Sequence, residues 1–217
     1  MSDVVADMAL AGVVLAGGAS RRMGSDKAGL DWNGQPMLAR IVGEVGRRCD
    51  PVSVVAAASS AAYRTLQGSG GPEAHWVTDE KAGTGPLGAL AAGLSDAAAA
   101  GREVAFVCAT DMPLISTDLI DELLLGLRDN DDAAIAVDAT RAHPFAAIYR
   151  TACAGRIRDL AATGERRMLA AIDTLVVNRV SISNADWLVN VNAPEDLHRL
   201  RMTAGGVPGQ PGAITVP

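Results

Sequence analysis

Val13-Val14-Leu15-Ala16-Gly17-Gly18-Ala19-Ser20-Arg21-Arg22-Met23-Gly24-Ser25-Asp26-Lys27-Ala28 is the stretch from which the architecture is best read. An apolar run ending at Leu15 is the pattern of a strand buried in a parallel sheet, and it stops at two adjacent glycines. Lacking β-carbons, Gly17 and Gly18 let backbone approach a ligand closely and expose successive N–H groups as an anion nest. Arg22 and Lys27 bring positive charge to the same loop. These residues predict a strand that delivers the chain into a polyanion-binding loop, against the plainer alternative of a glycine-rich turn with solvated charges. A Walker-type loop fails on spacing, because Gly24 is followed by Ser25 and Lys27 by Ala28.

With 217 residues the chain suits one sizeable α/β domain. A net charge of −6 argues against a general nucleic-acid or membrane-surface binder, since nothing would neutralise phosphates along an extended backbone. Cys49, Cys108 and Cys153 are odd in number, far apart and form no CxxC, so they read as small core residues of a reducing compartment. Asp3 and Asp7 stand where a signal peptide would be basic, and no apolar stretch reaches spanning length. A cytoplasmic location is the expectation.

Downstream, Trp32 to Pro36 reads as a turn and Pro36 as a helix start, with Met37, Leu38, Ile41, Val42 and Val45 on the packed face. Val52 to Ala57 is a second buried strand, completing a parallel, right-handed strand–helix–strand unit. A helix around Ala61 to Leu66 and a strand from His75 to Thr78 come after it. Gly83 to Gly88 satisfies GxGxxG, but a dinucleotide fingerprint should follow the first strand; Pro86 instead marks a helix with Leu87, Leu90, Ala91 and Leu94 inward. Val104 to Ala109 is another buried strand, and Asp111 stands where it runs out. Under doubly wound topology this carboxylate shares an edge with the first loop.

Helix Asp118 to Arg128 comes next, then a solvated turn at Asp129 to Asp132, strands Ala133 to Val137 and Phe145 to Tyr149, and a turn at Arg141 to Pro144 between them. Helices around Ala152 to Leu160 and Arg167 to Asp173, strand Leu175 to Ile182 and a helix after Pro194 finish the fold. The expectation is a single doubly wound, mostly parallel sheet of Rossmann-like type, spanning 1–202. Residues 203–217, punctuated by glycine and proline, read as a flexible tail.

The order LAGG, a short spacer, RMG, then DK resembles the signature of nucleotidyltransferases, most closely the molybdenum cofactor guanylyltransferase family. Nucleotidyl transfer needs an acceptor oxygen to attack the α-phosphorus while pyrophosphate leaves, so cations and backbone donors suffice without a protein nucleophile. Arg22 and Lys27 are the candidate triphosphate ligands, and Asp111 the candidate ligand for Mg²⁺, a hard cation held by one or two carboxylates. As an N-cap Asp111 is the weaker choice, because Pro113 intervenes and Ser116 or Thr117 caps better.

The likeness runs from Leu10 to Leu200 and includes Asp79 with Gly85-Pro86-Leu87-Gly88, Cys108 to Pro113, His143-Pro144, Gly164-Glu165-Arg166-Arg167 and Asn190 to Leu197. It implies transfer of GMP from GTP to the phosphate of molybdopterin or Mo-molybdopterin, and transient contact with proteins that deliver or receive the cofactor. It also implies GTP contacts at Leu15, Ala16, Gly17, Lys27, Asp79 and Asp111, with Gly85 in the purine-contacting segment. Where the family can place an asparagine after the second strand, this chain has Val55-Ala56-Ala57-Ala58. Arg166, Arg167, Asn190 and Asn192 are the acceptor-side candidates, offering guanidinium forks and amide edges to a phosphorylated pterin. His143 reads as a turn residue, since a phosphate nucleophile is already ionised and needs no base. The competing readings are a cytidylyltransferase of the same pterin, a guanylyltransferase of another phosphorylated acceptor, a nicotinamide-linked oxidoreductase using Gly83 to Gly88, and a nucleotide-binding regulator without turnover.

Overall fold

The computed structural model describes residues 8–16, 27–57, 60–68, 70–78, 85–191, 195–197 and 199–200. Its centre is strand β1 (Ala11–Leu15), which pairs in parallel with β4 (Val52–Ala56) on one side and with β6 (Val104–Ala109) on the other. Beyond β4 lies β5 (His75–Thr78), also parallel. On the other flank β6 pairs antiparallel with β8 (Ala142–Arg150), β8 antiparallel with β7 (Ala133–Val137), and β7 parallel with β9 (Val177–Ser181). The sheet order is therefore β5-β4-β1-β6-β8-β7-β9, mostly parallel with one reversed strand.

Strand alternation divides the core in two. Val14, Phe106 and Cys108 face one layer, where helices α1 (Met37–Val45), α2 (Ala62–Gly68) and α4 (Thr117–Gly126) bury Ile41, Leu66 and Leu119. Val13, Leu15, Ala105 and Val107 face the other, under α3 (Gly85–Ala99), α5 (Ala154–Ala162) and α6 (Met168–Ile172). This is the doubly wound arrangement that near-continuous apolar strands require, because neither face can be left to water. All three cysteines are buried and unbridged. Burial pushes the Cys49 thiol up to about 12 and the Cys153 thiol up to about 11, so neither is poised as a nucleophile. No helix among the described residues is long and apolar enough to cross a membrane.

Four local expectations are corrected. The turn at Trp32 to Pro36 is a hairpin joining β2 (Asp31–Trp32) to β3 (Gln35–Pro36), with Asn33 and Gly34 both at positive φ. Asn-Gly is the pair that a two-residue hairpin loop of that hand selects. Pro36 precedes the first helical residue, Met37, rather than opening the helix. The acidic run is not wholly solvated: Asp131 is buried and accepts from the Arg128 N–H at 3.0 Å, while Asp132 pairs with Arg156 and accepts from the Val176 N–H at 2.9 Å. Those two carboxylates tie the start of β7 to its neighbours. Finally β8 begins at Ala142, so His143 and Pro144 lie within a strand and not in a turn.

Ser116 caps α4 by accepting from the Leu119 N–H at 3.4 Å, which leaves Asp111 out of capping. The expected helix after Pro194 is seen at residues 195–197 and 199–200. The tail assigned to 203–217 lies outside the described residues.

Candidate active site

Because β5, β4, β1 and β6 run parallel, their carboxyl ends emerge along one sheet edge. Ligands of open α/β sheets bind on that edge, where connections depart to opposite faces. Here β1 is the departure point: the segment after it leads to α1 on one face, whereas α3 covers the other. Leu15 pairs with Val55 and with Ala109, so the three strand tips stand level.

Two backbone bonds anchor the chain just beyond these tips. The Ala16 N–H donates to the Val55 carbonyl at 2.8 Å, and the Thr110 N–H donates to the Leu15 carbonyl at 3.3 Å. The first loop therefore departs from a point locked to both neighbouring strands, and Asp111 comes one residue after the Thr110 tie. Leu15 and Ala16 have buried side chains, and the Ala16 N–H is already committed to the sheet. Any nucleotide contact at those two residues must be made by their remaining main-chain atoms. Gly17, Gly18, Arg22, Asp79 and Asn192 lie outside the described residues, as does the side chain of Lys27, whose backbone opens a 3-10 turn at Lys27–Gly29.

Asp111 is half-buried, with its Oδ1 shut off from solvent. Its carbonyl accepts from the Val191 N–H at 2.7 Å, which pins the segment bearing Asn190 against the tip of β6. Asn190 Oδ1 is buried and accepts no hydrogen bond among the described residues. A buried amide oxygen left without a donor costs free energy unless a ligand or ion supplies the contact. In the sequence Asp111 and Asn190 belong to separate, distant motifs, and the Val191–Asp111 bond brings those motifs together.

Arg166 sits elsewhere on the site, over the start of α3. Gly85 has φ +67, a left-handed conformation that favours glycine, and a β-carbon there would come within 3.0 Å of Arg166 Cδ. Gly85 thus combines the turn into the helix with a seat for the arginine. The Arg166 guanidinium donates to the carbonyls of Ala161 (3.2 Å) and Glu165 (2.8 Å), so its stem is fixed while the residue remains exposed.

Arg167 is held differently, through Glu165, whose Oε1 accepts from the N–H groups of Arg166 and Arg167 at 2.8 Å each and whose Oε2 meets Arg167 Nη2 at 2.8 Å. The side-chain bond from Arg167, together with the two backbone bonds, holds the Glu165 carboxyl down at about 2 from its ordinary 4.5. A depressed carboxyl stabilises its loop above the ordinary value and loses that hold only as pH falls towards 2, so the arginine loop keeps its shape throughout the neutral range.

Among the described residues no three His, Cys, Asp or Glu side chains converge as a metal cage. An all-protein cage is not what Mg²⁺ asks for in a phosphate site: it keeps several waters and takes one or two carboxylates plus substrate oxygens. Asp111, a hard oxygen ligand partly removed from solvent and bonded through its carbonyl to the segment that carries Asn190, fits that requirement.

A carboxylate just past the tip of β6, beside a locked first strand, and an arginine seated at the start of α3 supply what an α/β nucleotidyltransferase needs at this edge. The family model described as the MobA-like NTP transferase domain matches residues 12–180. A Mycobacterium marinum protein named as a probable molybdenum cofactor guanylyltransferase is 44% identical over 200 residues, covering 90% of this chain and 94% of the relative. The chain belongs to the MobA-like NTP transferase family.

Solved structures agree on the fold. Molybdopterin-guanine dinucleotide biosynthesis protein A from Archaeoglobus fulgidus superposes with a TM-score of 0.74 at 21% identity, covering 90% of this chain and 99% of that one. A nucleotidyl transferase from Methanothermobacter gives 0.71 at 21% identity, covering 91% and 97%. The GxGxxG reading for a nicotinamide cofactor finds no footing, because Gly85 opens a helix that follows the edge strand β5 and not β1.

Proposed function

We propose that the protein transfers GMP from GTP to the terminal phosphate of molybdopterin or its molybdenum-loaded form, releasing pyrophosphate. The observation that carries this reading is the bond between Val191 and Asp111, which joins the candidate metal ligand to the segment bearing Asn190 at the tip of β6. Support for guanine and for the pterin comes from relatives named as probable molybdenum cofactor guanylyltransferases, at 40–44% identity.

In this reading Gly17, Gly18, Arg22 and Lys27 hold the triphosphate, Asp79 and the segment at Gly85 face the purine, and Asp111 holds Mg²⁺. The metal, when bound, neutralises charge on phosphate oxygens during in-line displacement. Asp111 orients, and the arginines and backbone donors stabilise developing charge; no proton need be removed from an ionised phosphate. Arg166 at the mouth of α3 supplies a cation for a phosphate, and Asn190 with Asn192 supply amide edges for the pterin. Delivery and collection of the pterin by transient protein contact belongs to the same reading.

The deciding experiment is a pyrophosphate-release assay with GTP, Mg²⁺ and molybdopterin, run in parallel with CTP. Release with GTP and the pterin together supports the reading, whereas preference for CTP moves the chain to the cytidylyl reaction, and GTP binding without release marks a regulator. Replacing Lys27 with alanine removes a charge-assisted contact worth about 1.5–3 kcal/mol, so the Kd for GTP should rise roughly tenfold to a hundredfold by calorimetry. An unchanged Kd would take Lys27 out of the triphosphate site.

A further inference from the structure

The hairpin between β7 and β8 stands on the functional edge, apart from the residues assigned to the nucleotide. Strand β8 runs antiparallel to β6 with Cys108 opposite Ala146. Both chains leave the pairing there, His143 three residues before Ala146 and Asp111 three residues after Cys108, so His143 stands at the carboxyl-end edge on the flank of β6 away from β4 and β5. The β7–β8 pairing jumps here, from Ile135 opposite Ala147 to Ala136 opposite His143, so Pro144 to Ala146 are extra residues on β8. Such irregularities re-aim a side chain at a sheet edge.

His143 is 7% exposed, and its Nε2 lies 2.6 Å from Asp138 Oδ2. The other carboxylate oxygen, Oδ1, accepts from the Thr140 N–H at 2.7 Å, the Thr140 hydroxyl at 2.6 Å and the Arg141 N–H at 2.9 Å. With both oxygens committed, Asp138 cannot swing and the ring cannot turn. Behind His143, the Tyr149 hydroxyl donates to the Pro144 carbonyl at 2.9 Å, fixing the backbone from the core side. A hairpin needs only its turn residues to reverse the chain; a buried imidazole oriented through one nitrogen is more than reversal requires, and it stands at the edge where ligands bind.

We propose that His143 is a recognition residue for the heterocycle of the acceptor, and Asp138 its positioning residue. This rests on the guanylyltransferase reading. A carboxylate can only accept from the ring, so the Asp138 contact belongs to Nε2–H, and in a neutral imidazole so oriented Nδ1 is the acceptor that remains. That atom suits an N–H donor on a nitrogen heterocycle such as a pterin. A phosphate is the poorer match, because the Asp138 carboxylate lies just across the ring; the phosphate has Arg166. The nucleotide is assigned to the β1, β4 and β5 side, so a ligand meeting His143 on the β8 side is the acceptor.

The test uses His143→Phe, which keeps a ring without nitrogens, and Asp138→Asn, which keeps shape without charge. Calorimetry gives the Kd for molybdopterin and for GTP with Mg²⁺, and turnover gives the KM for each. We expect the molybdopterin Kd and KM to rise about tenfold in the phenylalanine variant and at least threefold in the asparagine variant, with GTP values within twofold. Unaltered molybdopterin values in the folded variants would overturn the inference, as would equal loss for both ligands accompanied by a lowered melting temperature. If the phenylalanine variant fails to fold, Asp138→Asn decides by the same split. The wild-type measurements separate the two levels: a wild type that neither binds nor converts molybdopterin overturns the function, and the inference with it, whereas a wild type that turns over beside variants with unshifted pterin affinity defeats the inference alone.

Discussion

Asp111→Asn is expected to lower kcat/KM for GMP transfer on the order of a thousandfold at saturating Mg²⁺, with GTP still bound. The substitution preserves shape and the backbone bond to Val191 while removing the charge, and loss of one dominant electrostatic group in such sites costs about 10²–10³ in rate. The half-buried position and the absence of a capping role mean that the melting temperature should stay close to that of the parent. Titrating Mg²⁺ in a pyrophosphate-release assay measures the effect. Full activity of the variant at limiting Mg²⁺ would remove Asp111 from metal binding.

The largest structural effect is expected at Gly93, at the interface between α3 and β1. A β-carbon there would overlap Val13 Cγ1 and lie 3.1 Å from Val55 Cγ2, in contacts with two β-branched residues of central strands. Gly93→Ala gains about 1 kcal/mol of helix propensity. It also drives a methyl group into side chains that have few alternative rotamers, an overpacking cost of about 1–3 kcal/mol and occasionally more. If the rigid strands do not yield, α3 must move outward and carry Gly85 and its arginine seat away from the tip of β1. We therefore expect a net fall in melting temperature of several degrees, measured by calorimetry, together with weaker GTP binding. A variant as stable as the parent, with unchanged GTP affinity, would show that the layer yields locally.

The alternation of apolar strands with helical faces made the doubly wound sheet legible, and the place of Asp111 just past the tip of β6 was legible because a buried apolar run ended there. The faces of α1 and α3 came from simple periodicity: Met37, Leu38, Ile41, Val42 and Val45 are buried, as are Leu87, Leu90, Ala91 and Leu94. Signals that were present but outweighed explain some corrections. Asn33-Gly34 carries the hairpin preference, yet with Pro36 close behind it the segment reads as a plain turn before a helix. Asp131 and Asp132 resemble a solvated acidic run because composition does not show that the Arg128 backbone N–H and the Arg156 guanidinium meet them.

Other features were set by long-range packing. The packing of Gly93 on Val13, the seat of Arg166 at Gly85 and the place of His143 at the carboxyl-end edge all depend on register between distant strands and helices. For His143, beyond the family likeness at His143-Pro144, a cue to its partner lay in the Asp138-x-Thr140 turn, whose side-chain-to-backbone bonds are an Asx-type pattern. Pro144 drew attention to a loop instead, although the residue sits where β7 leaves β8 unpaired.

A structure with Mg²⁺ and a non-hydrolysable GTP analogue is the most direct measurement. The phosphates are expected between the residues after Leu15 and the side chain of Asp111, with the metal on the Asp111 carboxylate and the guanine towards β4, β5 and Gly85. A nucleotide found away from the carboxyl ends of β1 and β6, or a metal bound without Asp111, would contradict that arrangement.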